Sequence, residues 1–105
     1  MSNENISAVE ALQAVLPRGA ANAKPRAQLA KELGLSDRNT RALIESARGE
    51  GLLICNEQNG RGYYIATDLD EIERTWRQMR SRAIATFRAA RHFRRALKDA
   101  GREVH

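Results

Sequence analysis

AQLAKELGLSDRNTRALIESARGEGLL, residues 27–53, holds two helical patterns separated by a glycine. In the first, Pro25 is placed as the opening residue of a helix, where its missing N–H costs nothing. Ala27, Leu29, Ala30 and Leu33 then supply the buried side of that helix. Gly34 can adopt the left-handed conformation that ends a helix and turns the chain sharply. Ser36 follows at once. Its side-chain oxygen can satisfy a free backbone N–H of a new helix, and Asp37 adds a negative charge at the positive end of that helix. The second helix is predicted over 37–48, with Thr40, Leu43, Ile44 and Ala47 facing inward and Gly49-Glu50-Gly51 closing it. Leu35 is expected to plug the angle between the two helices.

Working outward, Ile6, Val9, Leu12, Val15 and Leu16 form an apolar stripe at three- and four-residue spacing, closed by Pro17 and Gly19. That predicts a helix before the quoted stretch, joined to it by a polar loop, 18–24. After it, Leu52-Leu53-Ile54-Cys55 and Tyr63-Tyr64-Ile65-Ala66 read as two strands around the glycine-bearing segment NEQNGRG, a β-hairpin. Alternation along the second strand predicts that one of Tyr63 and Tyr64 packs inward and that the other is free to meet the last helix or a ligand.

From Asp68 no proline or glycine interrupts a helical pattern before Gly101. Asp68, Asp70, Glu71 and Glu73 crowd its first turns and basic residues follow, the polarity favoured by the helix dipole. Such a helix would be about 45 Å long, so part of it must project. Leu69, Ile72, Trp76, Met79, Ala83, Thr86, Ala90, Phe93 and Leu97 follow alternating three- and four-residue steps, a coiled-coil seam with a thin middle. Phe87 and Ile84 lie off the seam and allow a broader apolar face. Trp76 is read as a core or dimer residue, since it lies on the stripe.

The quoted segment, with its Ala-Lys-Glu-Leu-Gly-Leu-Ser turn and closing Gly-Leu-Leu, resembles the helix-turn-helix of winged-helix proteins, and the resemblance covers roughly residues 6–67. It implies a mainly α fold with a small β-hairpin, a winged helix-turn-helix domain over 1–67, followed by a long basic C-terminal helix over 68–105. It also implies that the second helix of the motif reads the major groove of DNA, while the hairpin serves as a wing along the phosphate backbone or in the minor groove. Taken whole, with its GRGYY wing and a basic coil after DLDEIE, the chain looks like small DNA-binding proteins of phages and prophages. That implies a transcriptional regulator or a replication accessory factor.

The residue choice on the reading helix agrees with this expectation. Arg38 and Arg41 lie three apart on one face, and arginine and asparagine can make bidentate contacts with guanine and adenine edges. Asn39 is assigned to backbone positioning first. Ser36, Arg38, Asn39 and Arg41, with Arg26 and the wing-tip residues Asn59 and Arg61, form the expected contact set for double-stranded DNA. Leu69, Ile72, Trp76, Met79, Ala83, Phe87, Ala90, Phe93 and Leu97 are the expected surface of a homodimer.

Charge is distributed unevenly. The chain has 105 residues and a net charge of +5. Residues 1–67 carry eight Lys/Arg against seven Asp/Glu, and residues 68–105 carry ten against six. Between Arg80 and Lys98 there are seven basic residues and no acidic one. Arg80, Arg88, Arg91, Arg94, Arg95 and Lys98 are therefore candidates for phosphate contact or for an acidic protein partner. A host or phage protein bound through this basic helix is the alternative function. Cys55 stands alone as a strand residue, and His92 and His105 are too scattered to ligate a metal, so no cofactor and no metal are expected. No nucleophile with its base and no phosphate-binding glycine loop can be assembled, so an enzyme is not expected. The polar N-terminus and the lack of a long apolar run predict a cytoplasmic, nucleoid-associated protein without a membrane segment.

Overall fold

The structure, a computed structural model, describes residues 3–57 and 62–104, with side chains from residue 8 onward and without that of residue 57. It is mainly helical with one small antiparallel sheet. In chain order it comprises α1 (Asn3–Val15), α2 (Arg26–Leu33), α3 (Asp37–Gly49), β1 (Ile54–Glu57), β2 (Gly62–Ile65) and α4 (Leu69–Asp99). A single 3-10 turn, Ala20–Asn22, lies between α1 and α2. The chain divides into two compact units, residues 1–73 and 74–105. The first therefore includes the opening turn of α4.

Within the first unit, α1, α2 and α3 pack on one face of the hairpin. Leu12 and Leu16 of the first helical stripe, Leu29, Ile44 and Ala47 from the next two helices, and Ile54, Tyr63 and Ile65 from the hairpin form the core. Val9, Val15, Leu33, Leu43 and Leu52 pack against it while half-buried. Thr40 is fully buried among these residues, and its hydroxyl donates to the carbonyl of Ser36 at 2.8 Å, so no polar group is left unsatisfied there. Ile6 belongs to α1, but its side chain lies outside the described residues.

Local signals place the helix ends. Pro25 stands one residue earlier than expected, as the N-cap of α2, and Gly34 ends that helix at φ 69°. The N–H groups of Gly34 and Leu35 then reach back to Lys31 and Ala30. This satisfies carbonyls that a helix end leaves open. Asp68 caps α4 by accepting from the N–H of Glu71 at 2.9 Å. At the far end Gly101 and Arg102 donate to Lys98 and Leu97, and the helix stops.

The hairpin pairs Ile54 with Ile65, Cys55 with Tyr64 and Asn56 with Tyr63, and Glu57 faces Gly62. Its outer edge is not open. The segment after α1 runs along β2: Gly19 donates to Ile65 at 2.9 Å, Ile65 to Pro17 at 2.8 Å, and Lys24 and Tyr63 exchange bonds of 2.9 and 2.8 Å. What reads as a polar loop thus covers the β2 edge, which would otherwise leave backbone groups unpaired. The approach is close at Gly62, φ 115°, where a Cβ would collide with the carbonyl of Lys24 and the nitrogen of Pro25.

Tyr63 and Tyr64 are both buried, at 8% and 1% exposure. Alternation holds, with Tyr63 on the helical side and Tyr64 beside Cys55 on the other, the face that the last helix meets. The opening turn of α4 lies over it, and the thiol of Cys55 meets the carbonyl of Glu71 at 3.7 Å. Leu35 does not plug the interhelical angle. It is exposed, because the left-handed turn at Gly34 carries it outward. Ala27 is exposed as well, leaving Leu29 and Ala30 as the buried pair of α2.

Glu71 joins the pieces of this unit. It is 7% exposed, and its carboxylate accepts from the N–H and hydroxyl of Thr67 at 2.8 and 3.1 Å and from the N–H of Ala20 at 2.8 Å. A buried carboxylate is tolerable only with such partners. The second unit contains most of α4 and, among the described residues, no buried one. Trp76 is 58% exposed, and so is not a core residue of the chain. Among the described residues no helix is long and apolar enough to cross a membrane.

Candidate nucleic-acid interface

The N-terminal half of α3 is presented by the turn Gly34-Leu35-Ser36. The hydroxyl of Ser36 accepts from the N–H of Asn39 at 3.1 Å, so the first turn is capped as its sequence requires. Thr40, Ile44 and Ala47 point to the core, and this fixes the rotation of the helix. Ser36, Asp37, Arg38, Asn39, Arg41, Ala42 and Glu45 are left exposed. Arg38, Arg41, Ala42 and Glu45 follow three- and four-residue steps and share one face. Among the described residues neither Arg38 nor Arg41 makes an ion pair with a carboxylate of the chain.

Asp37, which would repel an anion at this place, is already engaged. Its Oδ1 accepts from Nε of Arg26 at 2.5 Å, and Nη1 of Arg26 reaches the Tyr63 hydroxyl at 3.5 Å. These contacts hold the guanidinium above its ordinary pKa, the Asp37 hydrogen bond being the largest cause and the Tyr63 bond the next. The pair is solvent-accessible, with side-chain exposures of 36% and 59%, so its contribution to stability is small. Its electrostatic effect on the surface is the more relevant one: the negative charge closest to Arg38 is balanced locally. Arg26, an expected DNA contact, thus sits at the edge of the patch as the partner of Asp37.

Two other cations of the first unit have internal duties. Lys24 donates to the carbonyl of Val15 at 2.7 Å, capping the end of α1, and pairs with Glu32 at 2.9 Å. Arg48 donates through Nε to the carbonyl of Ile54 at 2.9 Å, and its guanidinium stands 5.9 Å from the centre of the Tyr63 ring. Arg38 and Arg41 are set apart from these residues by having no such role. Asn59 and Arg61, the expected wing tip, lie outside the described residues.

On α4, Arg80, Arg88, Arg91, Arg94, Arg95 and Lys98 are exposed. Arg80 stands over the Trp76 ring at 5.9 Å. Arg88, Arg91, Arg94, Arg95 and Lys98, with His92 and Asp99, surround a shallow concavity on the helix surface. Arginines at this spacing reinforce one another's potential and favour an anionic surface opposite. The expected dimer residues Leu69, Phe87 and Phe93 are 81%, 73% and 73% exposed, and Met79 and Leu97 are 40% and 42%. Ala83 and Ala90 are exposed and Ile72 is half-buried.

Sequence reasoning missed Glu71, Lys24 and Arg48. The spacing Asp68-x-x-Glu71 is a capping pattern and could have marked the start of α4. Nothing local could show that the Glu71 carboxylate folds back onto Ala20. No protein-family model, curated protein or solved structure matches this chain.

Proposed function

We propose that this protein binds double-stranded DNA sequence-specifically, as a winged helix-turn-helix of the phage and prophage type that regulates transcription or assists replication. One observation carries the reading: Arg38, Asn39 and Arg41 project from the exposed start of a capped helix, free of carboxylates among the described residues, while Asp37 beside them is held by Arg26. In this reading α3 enters the major groove, which is wide enough for one helix. The hairpin β1–β2 acts as the wing. Arg38 and Arg41 supply base contacts, and Ser36 and Asn39 lie toward the phosphates at the helix N-terminus, where the dipole favours anions.

Selection from a random duplex pool at physiological salt, followed by gel-shift titration of the enriched sequence, tests the proposal. Arg38→Ala and Arg41→Ala should each lower specific affinity roughly ten- to a hundredfold, since one bidentate base contact is worth about 1–3 kcal/mol. A pool that yields no enriched sequence sinks it, as does an enriched site indifferent to both substitutions.

A second reading rests on the uncovered apolar and basic surface of α4. There the chain is an interaction module that docks an acidic host or phage protein. Activity that survives Arg38→Ala with Arg41→Ala, but is lost on charge reversal within residues 80–98, would favour it.

A further inference from the structure

We infer that α4 pairs with α4 of a second copy in antiparallel orientation, with Trp76 of one chain beside Phe93 of the other. The argument begins with the exposed row on one side of the helix. Trp76, Met79, Phe93 and Leu97 are 58%, 40%, 73% and 42% exposed, and Ala83, Thr86 and Ala90 continue the row between them. Row positions recur every three and four residues, so they form a continuous seam that a second helix could cover. No residue of the described chain buries it.

Charge selects the orientation. The start of the helix is acidic, with Asp70 and Glu73 after the cap Asp68, and its last four turns carry Arg88, Arg91, Arg94, Arg95 and Lys98. A parallel pair would set each basic end against its own copy and bring Asp68 beside Glu73 of the other chain. Like charges so placed repel, and no opposite pair compensates them. In the antiparallel pair the first turn of each helix, with Asp70 and Glu73, lies against the last turns of the other, where Arg94, Arg95 and Lys98 stand.

Charge also selects the register. With Trp76 level with the partner's Phe93, Met79 faces Ala90, Ala83 faces Thr86 and Ile72 faces Leu97. Beside the seam, Glu73 then lies near Arg94 of the other copy, and two-fold symmetry repeats the pair at the opposite end. The remaining flanking positions place Arg80 by Phe87, Arg82 by Ala89 and Thr75 by Ala96, with no like charges in contact. Sliding one helix by a heptad in either direction brings Arg80 against another cation, its own copy in one case and Arg94 in the other. The favoured register also overlaps the two helices along almost their full length, since residue 70 stands opposite residue 99. Small residues at the centre keep the seam thin, so the dimer should dissociate in the micromolar range.

This inference rests on α4 alone and is independent of what α3 binds; its test contains no nucleic acid. Sedimentation equilibrium of the full chain well above that range, at about 100 μM, should approach twice the 11.8 kDa chain mass, since affinity sets the dimer fraction by mass action. Met79→Glu with Phe93→Glu should return the monomer. Both changes lie where the helix is exposed, so folding of residues 1–73 is not at risk, and circular dichroism verifies it. Arg94→Glu should weaken the dimer roughly tenfold, counting two exposed ion pairs lost and two repulsions created. Adding Glu73→Arg in the same chain should restore it. In a parallel pair these positions are about 31 Å apart along the axis, at roughly 1.5 Å per residue, and no rescue can occur. A monomer at all concentrations overturns the inference. So does a dimer that survives the double glutamate change, or a charge swap without recovery.

Discussion

Glu71 and Arg95 belong to the same helix and have opposite surroundings. The carboxylate of Glu71 is buried and accepts from Thr67 and Ala20, whereas the guanidinium of Arg95 stands in solvent without an ion pair among the described residues. The contrast extends to the units that contain them. In residues 1–73, Lys24, Arg26 and Arg48 are each tied to a named acceptor. Beyond Glu73 no side chain among the described residues is buried, and large apolar groups are exposed. The first unit holds a buried core, and the described residues of the second hold none. Where charge is internal it fixes the fold; where it is external it selects what can approach.

Substitutions can break or sharpen that contrast, and the largest effect is expected in the first unit at Gly62. Ala there combines a left-handed backbone with a collision against Lys24, so Gly62→Ala should cost about 3 kcal/mol or more in urea unfolding. An unchanged midpoint would mean that the 17–24 segment does not constrain the hairpin. Glu71→Gln comes next. Its amide can accept on one side only and must turn an NH₂ toward a backbone donor, so a loss of about 2 kcal/mol is expected. If thermal unfolding of this variant matches the wild type, the internal role of charge in this unit is refuted. Ser36→Ala should cost about 1 kcal/mol by removing the cap of α3. Arg95→Gln should change stability by less than about 0.5 kcal/mol, because the charge it deletes is exposed and has no ion pair among the described residues. A larger loss at Arg95 by chemical denaturation would erase the distinction between the units.

The parts legible from sequence share a physical origin. Gly34, Ser36, Asp68 and Gly101 act within one helical turn of themselves, and the helices end where those residues dictate. Thr40, Ile44 and Ala47 are set by the period of a single helix, so the outward direction of Arg38 and Arg41 could be read in advance. The missed features depend on partners distant in the chain. The pairing of Pro17, Gly19 and Lys24 with β2 is made by backbone atoms, on which side-chain pattern is silent. Strand alternation leaves open whether the last helix or a ligand meets the Tyr64 face, and the contact of Cys55 with Glu71 answers it with the helix. The clearing of Asp37 by Arg26 is likewise a contact between helices. Charge counts show cations and carboxylates nearly balanced over residues 1–67, but not which of them are occupied.

The bond from Arg48 to the carbonyl of Ile54, with its guanidinium over Tyr63, joins the last turn of α3 to both strands of the hairpin. Helix and hairpin are thereby set as the two jaws of a caliper with its screw already tightened. Under the proposed reading, a duplex contacting both would meet a spacing set in advance, and little ordering entropy would be lost as it is seated.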